Sequence, residues 1–410
     1  MMSLFLIKGK GLIKKFFYEE EDFMNGKYRS KKAFICLLSV FFFFVFVLTI
    51  PVHPAGQQKK AETFKEIPIP IVHAKGNHYE VGFQLGTQLK NNLVQSVERL
   101  KKREDWQKFK AEAELFLQYS KKYVPEYVEE IKGAADAAGL ALEDLFPTIC
   151  EEIGSSGYEY TAGCSDLIAS NDVTEDGSVL VAHNNDTSVT SQENVTITHY
   201  EVEGEPEIIA VGYGGLTISV GYNSSGISLT GNQVNSNDMR VGVPRMLLVR
   251  KILAAKTIGE AINAAILKHR ASNYNQVITD ANGEIYSIEG STTDYEPIYS
   301  TDGYLVHTNH YVSDWMRRFE LDPNRITGSL VRYNRGVRLL KNNKGKINVE
   351  RLKEFLSDHV NYPSSICSHG KRTKTTFSII INLNTLRVWI ARGNPCEVKY
   401  NEYEPFSKKK

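Results

Sequence analysis

A single cysteine, Cys164, stands directly after Gly163 in TAGCSDLIASNDVTEDGSVLVAHNND, residues 161 to 186. The stretch reads as a β-strand opening at the cysteine, a turn at Glu175-Asp176-Gly177, and a second strand running into Asn184-Asn185-Asp186. Such a hairpin would bring His183, Asn184, Asn185 and Asp186 back beside the thiol. A thiol becomes a strong nucleophile when a neighbouring base or cation favours its thiolate. One source of base needs no further side chain. If the Gly163–Cys164 peptide bond is cut, Cys164 gains an α-amino group whose ordinary pKa is about 7.7 to 8.0. That amine can act as general base for its own thiol. Gly163 keeps the bond to be broken sterically open. Asp166, two residues along the same strand, shares the face of Cys164, where it would either hold the amine or raise the thiol pKa by like charge. The plainer reading of a lone cysteine is a small buried hydrophobe at a strand start.

Bulk properties narrow the field. The chain has 410 residues, 42% hydrophobic and 24% charged, which are globular values. A formal net charge of +1 and the lack of a basic stripe with interleaved aromatics argue against nucleic acid. The sequence has no CxxC pair, HExxH or P-loop. His307, His310 and His369 show no metal-ligand spacing, so neither a metal nor an organic cofactor is expected. Cys36 lies in an apolar run, leaving Cys150, Cys164, Cys367 and Cys396. Four cysteines are too few for a disulfide scaffold but leave room for one bond, with Cys367 and Cys396 as the candidate pair.

The apolar run is AFICLLSVFFFFVFVLTI, residues 33 to 50, preceded by Lys27, Arg29, Lys31 and Lys32. It reads as a signal peptide or membrane anchor behind a cytoplasmic n-region, residues 1 to 32, with the rest of the chain exported to the outer membrane face or beyond. A start at Met24 instead of Met1 would give a signal peptide of ordinary length. Residues 51 to 66 read as a polar linker.

Helical periodicity follows in GNHYEVGFQLGTQLKNNLVQSVERLKK, then over 104–122 and 126–138, with Pro125 at a helix start and Gly139 at a helix end. From Cys164 the texture turns to hairpins, joined through GEP, NSSG and ANG. Helical patterns return at 244–268, 329–342 and 349–359 before a last hairpin, TFSIIINLNTLRVWIARG. Grouped strands with helices before and after read as α+β.

GCSDLIAS…DGSVLVAHNND resembles the nucleophile hairpin of the acyl-coenzyme A:6-aminopenicillanic acid acyltransferase family of self-processing N-terminal-nucleophile (Ntn) hydrolases. GNHYEVGFQLGTQL, GYNSSGISLTGNQ, SNYNQVITDANGEIYSIEG, HTNHY, SLVRYNRG and ICSHG…GNPC follow in that family's order, over roughly residues 67 to 400. The resemblance implies a four-layer αββα sandwich of two antiparallel sheets between helices. It implies one catalytic domain made of residues 67–163 and, after a cut at Gly163–Cys164, 164–410. Carried over by residue, Cys164 is the nucleophile, Asp186 holds the new amine, and the side-chain N–H of Asn309 faces the oxyanion. Asn232 is a second polar donor and Arg332 lies near the site. The implied reaction is hydrolysis, or acyl transfer, of a linear amide through a thioester, with a small-molecule amide as partner. Hydrolysis is favoured because a coenzyme A donor is out of place outside the cytoplasm. Three alternatives stand beside this reading. One is a choloylglycine- or penicillin V amidase-like, or lactone-degrading, hydrolase. Another is a non-catalytic, membrane-tethered ligand-binding protein. The third is a papain-type thiol protease, which needs a histidine paired with Cys164 and predicts no cut.

Overall fold

The computed structural model describes residues 64–153, 163–214 and 216–406. The apolar run 33–50, both candidate starts and most of the linker lie outside the described residues. Thr63–Lys410 forms one compact unit. The chain joins it early: Lys65 pairs in parallel with Val398, inside the stretch expected to be linker.

After strand β1 (Ile71–Gly76), helix α1 (His78–Gln88) starts on an Asn77 capping box. Asn77 Oδ1 accepts from the Glu80 amide at 3.0 Å, and the Glu80 carboxylate accepts from the Asn77 amide at 2.9 Å. A turn at Leu89 separates α1 from α2 (Lys90–Lys101), where periodicity alone reads as one helix. Then come α3 (Trp106–Tyr123), α4 (Pro125–Ala138) and the short α5 (Leu142–Leu145). Pro125 opens α4 and Gly139 closes it in the left-handed region, at φ 74°. Glycines let α1 and α4 touch backbone to backbone: a Cβ on Gly82 would lie 1.8 Å from the Glu130 carbonyl oxygen.

The hairpin β2 (Gly163–Asn171) and β3 (Gly177–Ser188) follows. Next are β4 (Val195–Val202), β5 (Ile208–Tyr213), β6 (Thr217–Asn223) and β7 (Ile227–Asn232). Helices α6 (Arg245–Leu253) and α7 (Ile258–Ala265) precede β8 (Asn275–Asp280), β9 (Ile285–Gly290), β10 (Tyr295–Tyr299) and β11 (Tyr304–His307). Helices α8 (Thr327–Asn342) and α9 (Val349–Leu356) lead into β12 (Thr373–Asn382), β13 (Arg387–Ala391) and β14 (Asn401–Tyr403).

The strands form two sheets. One has the order β1-β4-β5-β6-β7-β8-β9-β10, the other β11-β2-β3-β12-β13-β14. Their inner faces meet through Ile168, Val181, Ile197, Val211, Val220 and Ile379. The far face of the eight-stranded sheet packs on α1, α4 and α6 through Leu85, Ile131 and Leu248 among others. The far face of the six-stranded sheet packs on α8 and α9 through Leu167, Ala182, Leu340 and Leu352. These three cores make four layers, αββα. One pairing departs from the antiparallel expectation: β1 runs parallel to β4. The long connection between them, through α1–α5 and the β2–β3 hairpin, permits a crossover that a short turn would forbid.

Candidate active site

Register along the β2–β3 hairpin sets the site. Gly163 lies opposite Asp186, Cys164 opposite Asn185, Ser165 opposite Asn184, and Asp166 opposite His183. Alternation then sorts these residues onto two faces. Cys164, Asp166, His183 and Asn185 share the face of Ile168, toward the eight-stranded sheet. Gly163, Ser165 and Asp186 share the face of Leu167, toward α8.

On the inner face Cys164 is 6% exposed, while Asp166 and His183 are fully buried. His183 Nδ1 lies 2.7 Å from Asp166 Oδ1. Asn185 Nδ2 points at Cys164 Sγ from 3.8 Å and lies 3.4 Å from His183 Nε2. The orientation of the Asn185 amide follows from Tyr213 on β5, whose hydroxyl donates to Asn185 Oδ1 at 2.6 Å. Burial alone would lower the His183 pKa, but the charge and hydrogen bond of Asp166, with the contact to Cys164, push it up to about 10. The shift favours the charged ring, with Nδ1–H donating to Asp166. Of the groups around the sulfur, the Asn185 amide points at it directly.

On the outer face the main chain of Cys164 is held from α8 and from the loop after β11. The Cys164 amide donates to Asn309 Oδ1 at 2.8 Å. Arg332 Nη2 donates to the same oxygen at 2.9 Å. Arg332 Nη1 donates to the Cys164 carbonyl and, at 3.0 Å, to Ser165 Oγ. Two donors converge on the Asn309 oxygen, and its Nδ2 donates to the Gln233 carbonyl at 3.0 Å. Asn309 therefore holds the Cys164 nitrogen in the uncut chain.

Asp186 is 3% exposed, and its Oδ1 accepts from Thr375 Oγ1 at 2.7 Å. Burial raises its pKa to about 6, against the lowering effect of Arg332. Gly163 leaves little room for a side chain: a Cβ would sit 3.0 Å from Asp186 Oδ2 and 3.4 Å from Arg332 Nη2, so those side-chain ends would have to give by a few tenths of an ångström. Asn232, at the end of β7, accepts at Oδ1 from His307 Nδ1 (2.8 Å) and Asn275 Nδ2 (3.2 Å). Its own buried Nδ2 has no acceptor among the described residues.

Cys164 opens onto a cavity of about 280 Å³ whose walls include Asn185, Tyr213, Gln233, Glu152, Arg245 and Tyr274. The cavity mixes carboxylates, a guanidinium and amides with Met239, Met246, Tyr213 and Tyr274. Glu152 is pushed up to about 7 by burial and by neighbouring Glu151.

The structure therefore brings together Gly163, Cys164, Asp186, Asn309 and Arg332, with Asn232 one shell away beside His307. The pairing of His183 with Asp166 was not foreseen, although strand alternation and hairpin register contain it. Of the three histidines read as unrelated to metals, His307 bonds Glu289 at 2.7 Å and His310 bonds Ser329 at 2.7 Å. His369 lies elsewhere, in a cluster with His359, Cys367 and Cys396. Cys367 and Cys396, the candidate disulfide pair, are free cysteines here with their sulfurs 3.6 Å apart.

Residues 173–397, more than half of the chain, match the family model described as acyl-coenzyme A:6-aminopenicillanic acid acyl-transferase. The match includes His183, Asp186, Asn309 and Arg332 and begins after Cys164. The 40 kDa form of the acyl-coenzyme A:6-aminopenicillanic-acid-acyltransferase of Emericella nidulans is 25% identical over 322 residues, 76% of this chain and 88% of that protein. The beta-alanyl-dopamine/carcinine hydrolase of Drosophila melanogaster is 24% identical over 221 residues, 47% of this chain and 56% of that protein. Among solved structures, a variant of the conjugated bile acid hydrolase of Clostridium perfringens superposes with a TM-score of 0.42 at 14% identity, covering 58% of this chain and 96% of that one. Penicillin V acylase of Agrobacterium tumefaciens gives 0.37 at 12% identity, covering 56% and 83%. With its αββα layers and the extent of the family match, the chain belongs to the acyl-coenzyme A:6-aminopenicillanic acid acyltransferase family of Ntn hydrolases.

Proposed function

We propose that this protein is an amidohydrolase that activates itself by cutting Gly163–Cys164 and then breaks linear amides through a thioester on Cys164. The observation that carries the reading is the set of contacts on one residue. The sulfur of Cys164 faces His183 and Asn185, its nitrogen faces Asn309, and its carbonyl faces Arg332.

Before the cut the α-nitrogen is an amide and has no basicity, so the thiol needs another source of activation. The His183 imidazolium, oriented by Asp166, supplies it by stabilising the thiolate. Sγ attacks the Gly163 carbonyl carbon, the C–N bond breaks, and the nitrogen takes a proton to become the α-amine. Water then cleaves the thioester, leaving a Gly163 carboxylate and the Cys164 thiol. In the mature enzyme the amine stays on Asn309 Oδ1 with Asp186 nearby. It takes the thiol proton and passes it to the leaving amine of the substrate. The Asn185 amide beside the sulfur is the candidate oxyanion donor, and loss of one such donor costs about 3 kcal/mol of barrier.

Both named relatives act on acyl–amine bonds, one by transfer and one by hydrolysis. Polar walls at Glu152, Arg245 and Ser272 favour an amide carrying a polar group. Export through residues 33–50 belongs to the same proposal and places the substrate outside the cell, where water is the available acceptor. The side of the membrane on which activity appears tests that part. For the chemistry, N-acyl amides with polar acyl groups are mixed with enzyme and quenched in acid. The expected result is an acyl adduct, by mass, on the fragment beginning at Cys164. Hydrolysis that persists in Cys164→Ala would contradict it. The contact of His183 with Cys164 favours one second reading, a papain-type thiol hydrolase that works uncut.

A further inference from the structure

A second cluster of reactive side chains lies outside the nucleophile site. His359 follows α9, Cys367 and His369 sit in the loop before β12, and Cys396 lies in the loop after β13. One ligand atom from each can be chosen so that all four lie within 4.8 Å of one another. His369 Nε2 is 3.0 Å from His359 Nε2, 3.4 Å from Cys367 Sγ and 3.2 Å from Cys396 Sγ, and the two sulfurs are 3.6 Å apart. A single ring nitrogen cannot satisfy three partners with one proton or one lone pair. A cation at the centre can satisfy all four groups. Zinc–sulfur bonds of about 2.3 Å and zinc–nitrogen bonds of about 2.0 Å set tetrahedral edges of roughly 3.3 to 3.8 Å. The four separations just given are within a few tenths of an ångström of those edges, and the remaining two, from His359 to the sulfurs, are within 4.8 Å.

The surroundings are also those of a metal site. His369 turns its other nitrogen, Nδ1, toward Glu397 Oε1 at 3.6 Å, close enough for that carboxylate to hydrogen-bond the ring after a small rotation. Asn394 Nδ2 donates to Cys367 Sγ at 3.5 Å and to the Ser368 carbonyl at 2.6 Å. The hydrogen bond to sulfur supports a thiolate.

We infer that His359, Cys367, His369 and Cys396 form a structural Zn²⁺ site that ties together the loops following α9 and β13 and preceding β12. Two thiols lose their protons to solvent on binding, both imidazoles stay neutral, and the site is electrically balanced. With four protein ligands it is closed, so it holds shape rather than reacting with substrate. Its consequence reaches the nucleophile site along a short path. The Ser368 amide donates to Thr375 Oγ1 at 3.0 Å, and that hydroxyl donates to Asp186 Oδ1. The ligand spacing along the chain matches no common zinc pattern, because the site is assembled from three loops.

The test uses the full chain purified without chelators, with elemental analysis by mass spectrometry and thiol mass mapping on the same sample. The expected result is one zinc per chain, with Cys367 and Cys396 reduced. Cobalt substitution should give the strong visible absorption of a tetrahedral thiolate site. Cys396→Ser and His359→Ala should lose the metal and lower the thermal midpoint, while Cys164→Ala should keep it. Glu397→Gln should fold normally and weaken zinc binding by about 10- to 100-fold. A Cys367–Cys396 disulfide, two hydrogens lighter by mass, in a chain that takes up no zinc after reduction would overturn the inference. Zinc that stays at full stoichiometry in both Cys396→Ser and His359→Ala would overturn it too. All of these readouts are independent of amide hydrolysis and of the Gly163–Cys164 cut.

Discussion

Two histidine–carboxylate pairs among the described residues are buried on both sides, and they are built to opposite ends. His307 and Glu289 meet at 2.7 Å, as do His183 and Asp166, and in both pairs exposure is 1% or less. Glu289 is saturated. Beyond His307 it accepts from the amides of Val312 at 2.5 Å and Ser313 at 2.9 Å, and the other ring nitrogen of His307 is spent on Asn232. Asp166 holds His183 through one oxygen, and its Oδ2 has no partner among the described residues. The far nitrogen of His183 is left facing Cys164 and Asn185. A pair whose hydrogen bonds all close on the protein secures a loop. A pair with one end open to a thiol can serve chemistry.

The largest expected effect separates the pairs by activity. His183→Gln should slow self-cleavage and acylation of Cys164 by about 10²- to 10⁴-fold, the range of a lost acid–base partner. Single-turnover kinetics checks it, and an unchanged rate would reduce His183–Asp166 to a structural pair like the other. Glu289→Ala should act on stability instead. It strands His307 and two amides, and should cost about 3 to 5 kcal/mol in urea unfolding, while the folded fraction keeps its rate of cysteine alkylation. A third effect is in pH dependence. The pKa of His183 is raised in the fold to about 10 from an ordinary value near 6.5. Its stabilising contribution is thus fully present below about 6.5 and is lost as pH rises through about 10. Asp166→Asn should flatten that decline in the thermal midpoint across this window. An equally steep decline in the variant would assign it to other groups.

Much of the frame was legible because local rules governed it. The Asn77 cap, the Pro125 start and Gly139 end of α4, and the hairpins through GEP, NSSG and ANG are written in adjacent residues. The β2–β3 hairpin was legible too, and with it the delivery of Asp186 opposite Gly163. What escaped depends on register and on distant contacts. His183 is paired with Asp166 because the turn fixes a register in which they face each other, and neither residue type announces it. The orientation of Asn309 is set by Arg332, 23 positions away on α8. The four ligands of the second cluster come from three loops, so no spacing in the chain marks them. The parallel β1–β4 pair, likewise, is joined by most of the helical layer.

The central claim is that Cys164 is an activated nucleophile that cuts its own chain, and intact-mass spectrometry of the soluble chain beside Cys164→Ala tests it most directly. The account predicts two fragments for the natural sequence, the larger beginning at Cys164, and one uncut chain for the variant. A natural chain that stays whole while its thiol reacts rapidly would contradict the self-cleavage and favour the papain-type reading built on His183.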